Sequence, residues 1–100
     1  MDIKTSVDGD RATLEAVGKL TVQTSPDLSA AVEALPSAVR NLDIDLAEVT
    51  YIASAGLRVL VAADKLAVSR GGSMRLLRPC DEVMDVFEMT GLSDVFVIER

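Results

Sequence analysis

Ser54 is the side chain whose surroundings most clearly suggest chemistry. It follows the apolar run that ends at Ile52 and precedes a run with helical spacing that starts at Gly56. A serine in this position lies at or beside a helix N-terminus, where backbone N–H groups lack partners within the helix and the helix dipole favours negative charge. Such a position holds a phosphate well. The sequence therefore predicts that Ser54 is a switch residue acted on by another protein.

Two other roles of Ser54 follow from the same pattern. The serine could cap the helix, which stabilises a helix by about 1 kcal/mol. It could also be a nucleophile, because strand–Ser–x–Gly–helix resembles the nucleophile elbow of hydrolases. That elbow has a small residue two positions before the serine, where this chain has Ile52, and the chain contains no histidine to act as base. We therefore expect that the chain is not an enzyme.

Asp43 and Asp45 form a second pattern with possible chemistry. They alternate with three apolar residues at positions 42, 44 and 46, which predicts a half-buried strand with one solvated acidic face. A receiver domain that accepts a phosphoryl group on aspartate would need a further acidic pair at the end of its first strand. Residues 3–8 do not supply it convincingly. We therefore interpret the two aspartates as a solvated strand face.

Length and composition narrow the class of function. One hundred residues, 49% of them hydrophobic, suit one domain over residues 1–100. The net charge of −6 disfavours nucleic acid and anionic membrane surfaces and favours a basic patch on a partner protein. No apolar run reaches the roughly 20 residues of a membrane span, and the first four residues do not resemble a signal peptide, so we expect a cytoplasmic protein without membrane insertion.

Metal sites and disulfides are disfavoured as well. The absence of histidine removes every His-ligated metal site, and we expect no cofactor. Cys80 is the only cysteine, so it has no partner for an intrachain disulfide. We expect it to be a small buried packing residue. Gly71-Gly72 is not followed by the Lys and Ser/Thr spacing of a phosphate-binding loop.

The apolar spacing predicts the elements that position Ser54. A β-hairpin turns at Asp8-Gly9-Asp10, and a helix begins at Ser25-Pro26, with the serine able to cap it. Helices are also expected over residues 56–70, ended by Gly71-Gly72, and 81–89, ended by Gly91. Strands are expected over residues 42–46, 74–77 and 95–98. Because the strand at 42–46 carries carboxylates on one face, helices should cover only the other face.

Four motifs resemble, in the same order, those of STAS domains, in particular the anti-sigma factor antagonists of bacteria. In chain order, the first motif resembles the family's G-x-L at the end of strand two, and the second resembles its D-L-x-x-V-x-x-I-x-S-x-G-L pattern. The third resembles the family's entry to strand four, and the fourth resembles its F-x-x-x-G-L pattern. In this chain they are Gly18-Lys19-Leu20; Asp45-Leu46, Val49, Ile52, Ser54 and Gly56-Leu57; Gly71-Gly72 with Met74-Arg75-Leu76; and residues 86–92.

The resemblance implies an α/β fold, with a mixed sheet of four or five strands and three to four helices packed mainly on one face. It also implies a function. The unmodified protein would bind an anti-sigma factor with serine kinase activity and so release a sigma factor, and phosphorylation of Ser54 would reverse this. ATP and Mg²⁺ would be bound by the partner. The expected partner-binding residues are Thr21, Thr24, Ser54, Ala55, Gly56, Arg58 and Lys65, with the small residues at 53, 55 and 56 allowing close approach of a partner's backbone.

Two positions at which this chain differs from many family members leave an alternative function open. Thr21 and Ala53 stand where many family members have aspartate, so two carboxylates are absent from the neighbourhood of Ser54. The alternative is a STAS interaction subunit that does not switch, within a transporter-associated or other regulatory complex, or one that recognises a nucleotide or a lipid-related ligand.

Overall fold

The computed structural model describes residues 1–100 as a five-stranded sheet with three α-helices. The strands lie in the order β1-β2-β3-β4-β5; β1 is antiparallel to β2, and the other neighbours are parallel. This confirms the predicted mixed sheet. In chain order the elements are β1 (Asp2–Asp8), β2 (Arg11–Leu20), α1 (Ser25–Glu33), β3 (Asn41–Ile52), α2 (Ser54–Ser69), β4 (Met74–Leu77), α3 (Asp81–Met89), a 3-10 turn (Leu92–Asp94) and β5 (Val97–Glu99).

One face of the sheet forms the core with the three helices. Strand pairing aligns Leu14 of β2, Ile44 of β3 and Leu76 of β4, and all three side chains are fully buried. Residues Leu28 of α1, Leu60 of α2 and Phe87 of α3 belong to the same hydrophobic cluster. Because successive strand residues point to opposite faces, the helices all cover the face that carries these apolar residues. The prediction of helices on one side of the sheet is therefore confirmed.

The opposite face carries a charged network instead of helices. The Asp43 carboxylate accepts hydrogen bonds from Arg75 Nη2 (2.7 Å) and Nε (2.8 Å) and from Arg11 Nη1 (2.9 Å), and Arg75 also pairs with Glu99. Asp45 pairs with Arg78.

This network contradicts the solvated acidic strand face expected from the sequence. Asp43 and Asp45 are only 4% and 7% exposed, because arginines from β2, β4 and the segment after β4 lie over them. Hydrogen bonding to Arg75, and then to Arg11, holds the pKa of Asp43 below its ordinary value, although burial acts in the opposite direction.

Two irregularities in β3 bring its end to the level of the end of β2. Ten residues of β2 run beside twelve of β3, with register shifts between Glu15 and Val17 and between Gly18 and Lys19. At the first shift, Asp45 accepts a hydrogen bond from the Ala47 N–H (3.0 Å), which satisfies a backbone donor near the bulge. The two strands therefore end side by side, with Leu20 opposite Ile52.

The helix ends agree in part with the sequence. Gly71 and Gly91 follow α2 and α3 in the left-handed conformation, at φ 81° and 78°. Ser25 does not cap α1: the N-cap is Thr24, and the buried Ser25 hydroxyl donates to the Thr21 carbonyl.

Cys80 is half-buried rather than buried, with its thiol against the Val49 carbonyl (3.4 Å). No helix of the structure is long and apolar enough to span a bilayer.

We expect Asp43→Asn to lower the free energy of unfolding by about 2 kcal/mol at pH 7, because a buried carboxylate with two arginine partners is lost. The folded-state pKa of Asp43 lies below its unfolded value, so the stability it contributes is present above the unfolded pKa and is lost as the pH falls through the folded one. The variant should therefore lose less stability than the parent under acid. Urea denaturation between pH 7 and pH 2 measures both effects.

Asp10→Asn is the matched control for this test. Asp10 pairs with Arg40 at 3.9 Å, and both side chains are more than half exposed. Its replacement should change stability by less than about 0.5 kcal/mol, as is usual for surface ion pairs. Equal effects of the two substitutions would contradict a stabilising role of the network around Asp43.

Candidate functional site

The loop after β2 and the start of α2 lie side by side at one edge of the sheet. Lys19 and Leu20 pair with Tyr51 and Ile52, and the Ala53 N–H donates to the Leu20 carbonyl (2.8 Å). This edge is at the carboxyl ends of two parallel strands, the usual place for sites in open α/β sheets. The strand ends therefore bring the loop at residues 21–24 next to Ser54.

Ser54 is the first residue of α2, and it is exposed. The N-cap is Ala53, in an extended conformation (φ −101°, ψ 172°), and α2 has no side-chain cap hydrogen bond. The interpretation of Ser54 as the N-cap is therefore wrong by one position. Ser54 nonetheless presents an accessible hydroxyl at the N-terminus of a helix, where free amides favour negative charge.

An apolar contact pattern explains why α2 begins here without a polar cap. Ile52 and Leu57 occupy the N′ and N4 positions around the N-cap, the two positions of a hydrophobic staple, and both are buried in the core. The Leu57 N–H donates to the Ala53 carbonyl (3.1 Å), closing the first turn. The spacing Ile52-x4-Leu57 is therefore a signal in the sequence for where α2 begins.

Thr21 and Thr24 use their hydroxyls inside their own loop. Thr24 Oγ1 donates to the Lys19 carbonyl (2.6 Å) and accepts from the Thr21 N–H (2.8 Å), and Thr21 Oγ1 accepts from the Thr24 N–H (3.3 Å). These bonds fix the loop beside Ser54. The exposed residues of the loop are Val22 and Gln23. Val22, which is 68% exposed, was missed by sequence reasoning, since a single apolar loop residue gives no pattern.

Gly56 does not lie on an accessible surface, contrary to the expectation that it contacts a partner. It is buried, and a Cβ at this position would stand 2.6 Å from Leu20 Cγ and 3.0 Å from Ile52 Cγ1. The small residue is needed where the first turn of α2 crosses the ends of β2 and β3. The absent side chain therefore serves internal packing.

The remaining predicted residues all lie on α2. Ala55 is half-buried, and Arg58 and Lys65 are exposed. Arg58 is one turn from Ser54, but Lys65 is eleven residues away, about 16 Å along the axis. The structure thus gathers Thr21, Thr24, Ser54, Ala55 and Arg58 around one edge and places Lys65 at a distance on the same helix.

An open groove between α1 and α2 extends from this edge. It is bordered by the exposed Val22 and by residues from the facing sides of the two helices, and its lining is mostly apolar or small. The lining residues are Val22, Ser25, Pro26, Ser29, Ala55, Arg58, Val59 and Ala62. This groove gives the edge a shape that a protein side chain or helix can contact.

The local charge at this edge differs from that of the whole chain. The first turn of α2 contains no acidic residue, and neither does the loop at residues 21–24. Along the chain, the charged residues that flank the loop are Lys19 and Asp27, and those that flank Ser54 are Glu48 and Arg58, so each segment has one cation and one carboxylate outside it. No group of three or more His, Cys, Asp or Glu side chains comes together anywhere as a metal site.

Comparison with known proteins identifies related sequences. A family model described as "Mlab, STAS domain" matches residues 3–99. The protein named anti-sigma-B factor antagonist of Listeria monocytogenes is 35% identical over 96 residues, which cover 93% of this chain and 82% of that protein.

Two solved structures share the fold. An anti-sigma factor antagonist from Mycobacterium paratuberculosis has a TM-score of 0.85 at 21% identity, with 98% of this chain and 84% of that chain covered. The phosphorylated form of the Bacillus cell fate determinant SpoIIAA has a TM-score of 0.68 at 17% identity, with 99% of this chain and 92% of that chain covered. At these identities the two structures support the fold alone.

We expect Gly56→Ala to lower the free energy of unfolding by about 1–3 kcal/mol, because the added methyl group overpacks the contact with Leu20. Helix propensity alone would raise stability by nearly 1 kcal/mol. Ser54→Ala, at the neighbouring exposed position, should change stability by less than about 0.5 kcal/mol. Chemical denaturation of the parent and of both variants measures their free energies of unfolding. A Gly56→Ala variant that is more stable than the parent would contradict the packing role of Gly56.

Proposed function

The chain belongs to the STAS domain family, and on that basis we propose that it is an anti-sigma factor antagonist whose binding is switched by phosphorylation of Ser54. The unmodified protein binds an anti-sigma factor with serine kinase activity, and this releases a sigma factor. The observation that carries the proposal is the exposed Ser54 at the N-terminus of α2, beside the loop at residues 21–24. The similarity to a named antagonist supports it.

The switch follows from charge at a surface that stays folded. Phosphorylation adds about −1.5 to −2 charges at neutral pH. At a helix N-terminus a negative charge is stabilising by about 0.3–1 kcal/mol, so the domain keeps its structure. A partner packed against Ser54 must accommodate added volume and desolvate the new charge, so its affinity falls.

The partner surface we propose is the edge around Ser54 together with the groove between α1 and α2. Its members are Thr21, Val22, Thr24, Ser54, Ala55 and Arg58, with Lys65 at the periphery. The net charge of the chain suggests a basic partner, but the exposed charges of α2 nearest Ser54 are cationic. Carboxylates of the partner fit this edge better than basic residues do.

No residue of this chain needs to activate the serine hydroxyl. The chain has no histidine, and no other side chain hydrogen-bonds to Ser54. The kinase partner supplies the catalytic base and binds ATP and Mg²⁺. The chain acts as a substrate and a binding protein, and its contribution is an accessible serine on a rigid edge.

We expect a tagged parent protein to retain an anti-sigma factor from a lysate of its host and Ser54→Asp to retain at least tenfold less, because the carboxylate imitates part of the phosphate charge. Ser37→Asp is the matched control, since Ser37 is exposed in the turn before β3, at the far end of the domain. It should bind as the parent does. Mass spectrometry identifies and quantifies the retained protein.

The recovered partner then allows the modification to be tested directly. With ATP and Mg²⁺ it should add one phosphate to the parent protein and none to Ser54→Ala, as read by intact mass. Equal binding by Ser54→Asp and the parent, together with no phosphate transfer, would favour the STAS interaction subunit that does not switch.

A further inference from the structure

Arg58 differs from every other arginine of the chain. Each of the others makes an ion pair or a hydrogen bond, whereas Arg58 makes none and its side chain is exposed. The partners of the others are Asp43 for Arg11, Asp10 for Arg40, the Pro36 and Val39 carbonyls for Arg70, Asp43 and Glu99 for Arg75, Asp45 for Arg78, and Asp81 for Arg100. A protein with an excess of carboxylates thus leaves one guanidinium free at the edge beside Ser54.

The spacing between Ser54 and Arg58 suits a pair on one helix face. Residues four apart on a helix have Cβ atoms about 5–6 Å apart, and an acidic group that precedes a basic one by four residues is the favourable order. A phosphate on Ser54 would precede Arg58 in this order. A guanidinium also matches a phosphate in geometry, because it can donate two parallel N–H bonds to two oxygens.

Competing charges on the neighbouring elements are few. On α1, Asp27 already accepts a hydrogen bond from the Met1 amino group (3.2 Å). On β2, Lys19 is exposed at the strand end, and on α2 itself Lys65 is about 16 Å from Ser54. No carboxylate in the first turn of α2 or in the loop at residues 21–24 would compete for Arg58 or repel the phosphate.

We infer that Arg58 binds the phosphate of phosphorylated Ser54. This inference rests on the proposed function, and it names how the modification acts. In the unmodified protein the free guanidinium is available to a carboxylate of the partner. After modification, the phosphate occupies the same guanidinium, so the partner loses a cation to bind as well as meeting a new negative charge.

The test installs phosphoserine at position 54 during translation, so it requires no kinase. The second pKa of the phosphate, about 6 for a free phosphoserine, is measured by ³¹P NMR titration. Arg58→Gln should raise this pKa relative to the parent by roughly 0.3 unit or more, as expected for loss of a helical ion pair. Arg58→Lys should restore part of the difference, because it keeps the charge but not the bidentate geometry.

Lys65→Gln is the matched control, since it removes the same charge from the same helix at a greater distance. At 0.1 M salt its effect should stay below about 0.1 unit, because the charge lies beyond one screening length. An unchanged phosphate pKa in Arg58→Gln, or an equal shift in both variants, would overturn the inference. Circular dichroism checks that the variants fold, as expected for exposed side chains without partners.

The outcome separates this inference from the proposed function. If the phosphate pKa depends on Arg58 but no kinase modifies Ser54, the pair exists and the regulation is different. If the kinase modifies Ser54 and the pKa is independent of Arg58, the switch is kept and the role of Arg58 is wrong.

Discussion

The structure around the site depends on one close contact, between the first turn of α2 and the end of β2. At Gly56 the helix backbone approaches Leu20 so closely that a methyl group would stand 2.6 Å from Leu20 Cγ. The hydrogen bond from Ala53 to Leu20 fixes the same junction from the side of the backbone. Since interiors are packed as densely as crystals, these contacts leave little freedom in the position of Ser54. Leu20 also ends β2 immediately before the loop at residues 21–24, so one buried residue connects both halves of the edge.

The two faces of the sheet contribute to this edge in different ways. The apolar face receives the helices and sets where α2 starts. The other face uses arginines as a cover, with Asp43 and Asp45 held beneath them. Asp45 also supports the bulge that lets twelve residues of β3 match ten of β2. Without these extra residues, Ile52 would not lie opposite Leu20, and the loop and the helix start would lie at different heights.

Much of the fold could be predicted from the sequence because it depends on local signals. The turn at residues 8–10, the glycines after α2 and α3, and the parallel pair β3 and β4 all follow from patterns within a few turns or strands. Asp43 and Asp45 were misread because their arginine partners are 32 and 33 residues away in the sequence. Alternation of residue types within β3 does not reveal partners that lie outside this strand. Ser54 was expected at or beside a helix N-terminus and is the first residue of α2, although the helical spacing is apparent in the sequence only from Gly56 onward.

Gly56 and Val22 show a different limit of pattern reading. A glycine near Ser54 is compatible with an open surface and with a tight internal crossing, and only the position of Leu20 decides between them. Val22 is a single apolar residue in a polar loop, so its exposure beside the groove is a tertiary property. At both positions the residue type alone does not tell whether the residue is buried or exposed, because that depends on the tertiary fold.

The start of α2 without a side-chain cap has a consequence for the electrostatics of its first turn. A side-chain cap would satisfy one of the free N–H groups of the first turn and stabilise the helix by about 1 kcal/mol, whereas here these groups have no side-chain partner. Gly56 and Leu57 nevertheless hold this turn against the core, so its free N–H groups are presented in fixed positions. An anion that approaches this end of α2 therefore meets donors already in place, and the domain need not rearrange to accept it.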